Sequence, residues 1–390
     1  MKTIASSIAL LALLAACSYK MPEEQAVKII SRHGFSRTDP GKLRELLRSG
    51  GLAGLRTLDK YAAVVTGERG IMISPAAPSP SYGMLAAARD GKCYLLRVFR
   101  GSPAEKAGLR DGDRLLSADS FEPGSGGFNK ALSGLGDLDL RVERAAKSGA
   151  SAVEVKLKAA PFSPPLIFGF YEPSTRTAFV RVGLFFGDSA SIVGAGIAGL
   201  TKMGARNVIL DLRGNRGGQP EEAAALLRLF ARAPGPVLRL LSCHKGYTEV
   251  LEARAAGRFS GLPAAVLVDG STSMTGEAFA AAMREVAGAR VVGARTAGDV
   301  SVQRTFSLGD GRGLAITVAR IAPPSGRDLE GSGLEPDIQA GSSGAAWDSP
   351  PAGELLDDAA YQKALELFKA GSAASAAPAS RAVDASRASS

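Results

Sequence analysis

At 390 residues, 45% of them hydrophobic, the chain is long enough to bury cores for two or more domains. Its 47 Lys and Arg exceed its 38 Asp and Glu, for a net charge of +9. The two signs are interspersed, and no basic run or aromatic-interleaved basic stripe occurs, which argues against nucleic acid as a partner. Only two histidines (His33 and His244) and three cysteines are present, with no C-x-x-C or His-rich spacing, so neither a metal nor another cofactor is expected.

Residues 1–17 read as an export signal. Lys2 supplies a short positive region, Ile8–Leu14 an apolar run too short to span a membrane, and Leu14-Ala15-Ala16-Cys17 the shape of a bacterial lipobox. Lipid on Cys17 would anchor the mature chain to the periplasmic face of an envelope membrane, its only membrane contact. Ser18 at the next position resembles lipoproteins sent to the outer membrane. The alternative is an ordinary secretory signal in which Cys17 is incidental. Cys93 and Cys243 fall in different expected domains and read as small buried hydrophobes, although an oxidising compartment would allow them to pair.

Residues 21–69 are polar and helix-patterned, and Gly51–Arg69, with Leu52, Leu55, Leu58, Asp59 and Tyr61, reads as a helical packing segment. A second unit is expected over residues 70–160. In Arg100–Ser117 (RGSPAEKAGLRDGDRLLS), Pro103 opens a short helix, Gly108 ends it, and Gly112-Asp113 turns the chain into a strand. Leu138–Val142 and Ala152–Leu157 alternate as strands do. Phe121–Asn129 (FEPGSGGFN) is a Gly-rich stretch with no assignment. The Gly-Ser-Pro-Ala run resembles the PDZ modules of bacterial proteases. That resemblance implies that Tyr82, Gly83, Met84 and Leu85 form a carboxylate-binding loop, so that a protein or peptide C-terminus adds as a β-strand.

From 161 to 345 the pattern becomes strand–helix–strand. Ala178–Val182 is a strand, and Ala190–Met203 a helix in which Gly194, Gly196 and Gly199 allow close packing. Asn207–Leu212 is an apolar run of the kind buried on both faces of a sheet. It leads into Asp211-Leu212-Arg213-Gly214-Asn215-Arg216-Gly217-Gly218 and a helix from Glu221 to Arg232. Val237–Leu241, Ala265–Val268 and Arg290–Val292 are further strands, and Thr275–Ala287 is a helix ended by Gly288. Asp310–Ala322 adds another strand. A C-terminal block, 346–370, holds an amphipathic helix with Leu356, Ala360, Ala364 and Leu367 on one face, followed by an Ala/Ser-rich tail, 371–390, that reads as disordered.

Three pieces resemble the carboxy-terminal processing peptidases, or tail-specific proteases: D-L-R-x-N-x-G-G at 211–218, Glu277 with Val291-Val292-Gly293, Thr296, Gly298 and Gln303, and the Gly-Leu-Glu-Pro-Asp run at 333–337. With the PDZ match the resemblance covers roughly residues 50–370. It implies an α/β core of the tail-specific protease (ClpP/crotonase-like) type, with an inserted PDZ domain and a helical N-terminal segment. It also implies that Gly217 and Gly218 offer backbone N–H groups to an oxyanion and that Gln303 assists catalysis.

The catalytic letters depart from the family pattern. Counted from Glu277, Met274 stands at the nucleophilic Ser position, and Asp299 stands at the Lys position. A thioether cannot form the acyl-enzyme, and a carboxylate with a reference pKa of about 3.9 is a poor base for a hydroxyl. The expectation is a peptide-binding chain that has lost hydrolysis. The alternative is a serine-type endopeptidase using Ser273, one residue earlier. A helix rotates side chains by about 100° per residue, so that route needs a bulge. It would also need a base from His244, Lys245 or a buried Asp299.

Overall fold

The computed structural model describes residues 21–66, 79–89, 91–134, 136–146, 149–341, 355 and 358–374. The export signal, Cys17 and the tail beyond 374 lie outside the described residues.

Two helices open the chain, α1 (Glu23–His33) and α2 (Pro40–Arg56); α2 begins with the Asp39 side chain accepting from the Lys42 N–H at 3.0 Å and is kinked at Gly51. The helical segment stops there, short of the Arg69 boundary expected for it. Ala63–Thr66 is strand β1, antiparallel to β17 (Arg312–Ala322). The β-branched run Val64-Val65-Thr66 suits a half-buried strand better than a helix. Buried Ala26, Val27, Ile29 and Ile30 of α1 and Leu43, Leu47 and Leu55 of α2 pack with Leu314, Ile316 and Val318 of β17.

A separate five-stranded antiparallel sheet follows, ordered β3 (Met84–Arg89), β4 (Lys92–Val98), β5 (Arg114–Ala118), β6 (Asp137–Ala146) and β7 (Gly149–Lys158). Two short helices cover it. In α3 (Pro103–Lys106) the Ser102 side chain accepts from the Glu105 N–H while the Glu105 carboxylate accepts from the Gly101 N–H, a reciprocal cap. The unassigned glycine-rich stretch is the start of α4 (Gly126–Ser133), capped by Ser125, with Phe128 and Leu132 buried. A two-stranded ribbon, β2 (Ser79–Ser81) with β8 (Ala160–Phe162), joins this unit to the rest. Cys93 is buried here, Cys243 is half-buried elsewhere, and both are free thiols.

The larger unit is built on a six-stranded sheet ordered β18 (Ile338–Gln339), β15 (Arg290–Gly293), β14 (Ala264–Val268), β11 (Asn207–Asp211), β10 (Thr177–Val182) and β9 (Ile167–Glu172). All neighbours run parallel except the edge strand β9. One face carries α5 (Ser189–Lys202), α6 (Pro220–Arg228) and α7 (Met274–Ala287); the other carries α8 (Ala359–Ala374). Such a sheet, covered on both faces, explains the continuous apolar runs of β11 and β14, which are buried almost throughout. A second sheet, with β17 at its centre, adds β12 (Gly235–Leu241), β13 (Glu249–Ala253) and β16 (Ser301–Ser307).

Two helix details differ from the sequence reading. In α5 only Gly194 is tightly enclosed, since an added Cβ would lie 2.8 Å from Leu229 and Arg258, whereas Gly196 and Gly199 face open space. The last helix runs from Ala359, where the Asp358 side chain accepts the Tyr361 N–H at its first turn, and its expected first residues, 353 and 354, lie outside the described residues. It runs to Ala374, past the expected start of the tail at 371. Its buried face is Ala360, Tyr361, Ala364, Leu365 and Phe368; Leu367 is only partly covered, and Leu356 lies outside the described residues.

Candidate functional site

Adjacent parallel strands bring their C-terminal loops side by side, and the two glycine-rich loops meet for that reason. β11 and β14 pair in register (Asp211 with Leu267), so the 212–218 loop lies against the turn 269–273. Asp269 organises that turn, its Oδ1 accepting from the N–H groups of Ser271, Thr272 and Gly214 at 3.0, 2.9 and 3.1 Å. The buried Thr272 hydroxyl donates to the Leu212 carbonyl at 2.9 Å. Ser273 N–H donates to the Asn215 carbonyl at 2.9 Å, and Asn215 Nδ2 donates to Val182 at 2.8 Å.

At the apex stands Met274, with φ 52°, a left-handed conformation that a β-carbon disfavours. It is one of three non-glycine residues with positive φ among those described. A strand that turns through such a residue into a helix presents the side chain outward at the helix N-terminus, as a nucleophile elbow does. Met274 N–H donates to the Asp299 carbonyl at 2.5 Å. Ser273 is extended (φ −147°, ψ 173°), and its hydroxyl has no hydrogen-bond partner among the described residues.

The glycine pair packs directly on this apex. An added Cβ on Gly217 would lie 2.7 Å from Met274 Cβ, and one on Gly218 would lie 2.0 Å from the Phe185 carbonyl oxygen. Their positive φ values, 99° and 110°, also require glycine. Gly217 N–H is occupied, donating to Asn215 Oδ1 at 2.8 Å. Gly218 N–H has no hydrogen bond among the described residues. Of the two amides expected to face an oxyanion, one is therefore free.

Glu277, one turn into α7, is fully buried and gathers the 296–299 loop. Its carboxylate accepts from the Thr296 hydroxyl and from the N–H groups of Gly298 and Asp299 at 3.1 and 3.2 Å. Burial pushes its pKa up to about 7 against those hydrogen bonds. Asp299 thus contributes its backbone, through N–H to Glu277 and carbonyl to Met274. Its carboxylate accepts from Ser301 N–H at 3.2 Å and meets the Tyr61 phenol.

Sequence reasoning missed the residues beyond Asp299. Lys60 Nζ lies 2.6 Å from Glu330 Oε1, Tyr61 donates to the same oxygen at 3.3 Å, and Ser301 donates to Glu330 Oε2 at 3.3 Å. The Glu330 hydrogen bond raises the Lys60 pKa, so this amine stays charged. Burial pushes Tyr61 up to about 12. Tyr61 had stood out only as a packing residue, and nothing near Glu330 in sequence marked it.

The other candidate bases are elsewhere. His244 lies near His33 and Tyr247, with its buried Nε2 unpartnered, and Lys245 sits in a 3-10 turn, Lys245–Tyr247. Neither has a hydrogen bond to Ser273 among the described residues. Gln303 lies on β16 at a bulge opposite Thr317 and makes no hydrogen bond to the elbow among the described residues. Tyr82 and Met84 are buried in the small unit, Tyr82 donating to the Gly136 carbonyl at 3.0 Å; Gly83 (φ 69°) is pressed on Ser102 and Phe162, and Leu85 packs among the buried residues near Phe99 and Phe168.

Residues 176–340, which hold both loops, match the family model Peptidase family S41. The chain is 23% identical over 325 residues to the carboxy-terminal processing protease CtpB of Bacillus subtilis (strain 168), covering 81% of this chain and 66% of that protein. It is 26% identical over 255 residues to CtpA of the same organism, covering 65% and 54%. The chain thus carries a Peptidase family S41 domain and is similar to the carboxy-terminal processing proteases. It spans less than two thirds of the length of these two relatives. Its mixed α/β fold is that of the photosystem II D1 C-terminal processing protease, at 20% identity with a TM-score of 0.53, covering 87% of this chain and 97% of that one. Within the family frame the elbow, the Gly217-Gly218 pair and the Glu277-held loop form one contiguous site.

Proposed function

We propose that this chain, which is similar to the carboxy-terminal processing proteases, binds polypeptide chains without hydrolysing them. The observation that carries the reading is the apex of the elbow, where the left-handed residue is Met274 and not a serine. Its sulfur cannot accept an acyl group. Three further features agree. The Met274 amide is spent on Asp299, the Gly217 amide is spent on Asn215, and the nearby amine, Lys60, is held charged by Glu330. Met274 and Asp299 then stand at the positions of the family's Ser and Lys.

The antiparallel unit of β3–β7 is read as a PDZ domain inserted before a ClpP/crotonase-like core and after a helical N-terminal segment. Its loop at Tyr82–Leu85 would capture protein C-termini, the terminal carboxylate resting on backbone N–H groups. With lipid on Cys17, the chain would work at the periplasmic face of an envelope membrane, holding chain ends as an adaptor or decoy for envelope proteolysis.

The test incubates purified chain with an unfolded protein bearing an apolar C-terminus. Binding without cleavage, weakened when that terminus is amidated, is the expected result. Cleavage abolished by Ser273→Ala would replace this reading with that of an active serine endopeptidase.

A further inference from the structure

The six-stranded sheet ends on an unpaired edge. Among the described residues β9 pairs with β10 on one side and with no strand on the other. Gly183 N–H donates to the Leu166 carbonyl at 2.7 Å, and in an antiparallel ladder the bonded residues alternate. Leu166, Phe168, Phe170 and Glu172 therefore turn their backbone groups to β10, and Ile167, Gly169 and Tyr171 turn theirs outward. None of those outward N–H and C=O groups has a partner among the described residues.

Such an edge is a template for another strand, and chains normally guard it with charge or brevity. β7 carries Glu154, Lys156 and Lys158, β13 carries Glu249 and Glu252, and β18 is two residues long. β9 is six residues long, and its one charged residue, Glu172, is buried.

Space lies along this edge on both sides. Toward α5, a cavity of about 320 Å³ has walls that include Ile167, Gly169, Ile192, Gly196, Gly199 and Met203, with no charged residue in its lining. An added Cβ on Gly196 or Gly199 would meet nothing within 4 Å, so this side of α5 is hollow. Toward the small unit, a cavity of about 480 Å³ separates β9 from β4 and shares Gly169 and Met203 with the first. The two charges of β4 and its neighbouring loop there, Arg97 and Asp111, neutralise each other at 2.9 Å. Seven large hydrophobic side chains are exposed among the described residues, and four belong to this region: Leu166 just before β9, Phe186 in the turn before α5, Ile192 and Met203. An apolar trough with a bare strand edge on its floor fits an extended polypeptide whose alternate side chains are apolar.

The trough starts beside the elbow. Gly183 bonds to Leu166, and two residues further on Phe185 donates its N–H to the Gly217 carbonyl at 2.9 Å. Two residues of extended chain span about 7 Å. A polypeptide held at the elbow therefore reaches the β9 edge within a few residues. We propose that the polypeptide bound by this chain continues from the elbow along the trough and adds to β9 as a further strand, its alternate apolar side chains entering the hollow of α5. This rests on the reading of the chain as a binder of polypeptides, and adds where the bound segment lies and what side chains it carries.

The probe is acetyl-Ser-Leu-Thr-Val-Thr-Leu-Ser-amide, which offers no free carboxylate to the loop at Tyr82–Leu85. Titrated into the full chain it should bind, and hydrogen exchange of residues 166–173 should slow about tenfold at saturation. The same peptide with proline in place of its central valine cannot pair as a strand and should not bind. Gly196→Glu puts a good helix former at an exposed position of α5 and a charge in the trough, so it should weaken binding about tenfold. Binding that leaves exchange of 166–173 unchanged, or that slows β3 instead, overturns the proposal. So does full affinity in a folded Gly196→Glu chain. If the capped peptide fails to bind while an unfolded protein with a free apolar C-terminus still binds uncleaved, this proposal falls and the reading of the chain as a binder stands. If neither binds, both fall. A dimer whose β9 is already protected before peptide is added would give the edge to a second copy and overturn the proposal too.

Discussion

Asp358 Oδ2 lies 2.5 Å from Arg213 Nη1, and both side chains are completely buried although 145 residues separate them. The same Asp358 carboxylate starts α8, and the same Arg213 sits at the head of the glycine-rich loop. One ion pair thus ties the last helix to the floor of the site. Removing one partner leaves a buried charge incompletely matched. Asp358→Ala should destabilise the chain by about 3 kcal/mol, measured by urea unfolding, and amides of α8 should exchange fastest. A loss below about 1 kcal/mol, inside the range of exposed pairs, would show that the pair does not hold the helix.

Backbone conformation at residue 274 makes a second prediction. A left-handed residue with a branched Cβ is more strained than one without a Cβ. Met274→Val should therefore lower stability by about 2 kcal/mol, and Met274→Gly should be the better tolerated of the two. Thermal melts in the same buffer decide the order; Val at or above Gly would contradict the elbow geometry.

Gly217 and Gly196 form a contrasting pair. Ala at 217 meets Met274 Cβ at 2.7 Å and the Thr275 N–H nitrogen at 3.0 Å, in addition to φ 99°. Gly217→Ala should cost about 3 kcal/mol. Gly196, inside α5 with nothing within 4 Å, should gain about 0.5–1 kcal/mol on becoming Ala. The two melting temperatures should move in opposite directions.

Acidity should act through Glu277. Its carboxyl is raised in the folded chain, from an ordinary 4.5 to about 7, first by burial. Folding therefore favours the protonated form. That contribution is complete below about pH 4.5 and is lost as pH rises through about 7. Subtracting the Glu277→Gln melting curve from the parent's between pH 5 and 8 should isolate a stability term that falls with rising pH. A difference that is flat, or that rises with pH, would contradict the burial argument.

Much of this architecture could be read in the chain itself because its signals are local. Alternation, helical spacing, Pro103 at a helix start and Gly288 at a helix end each depend on a few neighbouring residues. The same holds for the motifs at 211–218 and around Glu277, which placed the two loops in one site. Locality also explains the misreadings. The helix pattern was carried to Arg69, past the point where β17 takes residues 63–66 as a strand, and the face of α8 was set by Asp358 and its burial partners.

The amino-acid order alone put a methionine three residues before Glu277 and an aspartate directly after Gly298. Only the folded chain decided what surrounds them: a left-handed apex, two backbone donors already occupied, and an amine neutralised by a carboxylate 270 residues away in the chain. The reason is the range of the interactions. Helix and turn preferences act over a few residues, whereas Lys60 with Glu330, Asn215 with Ser273 and Arg213 with Asp358 meet only after the sheet has brought distant loops together.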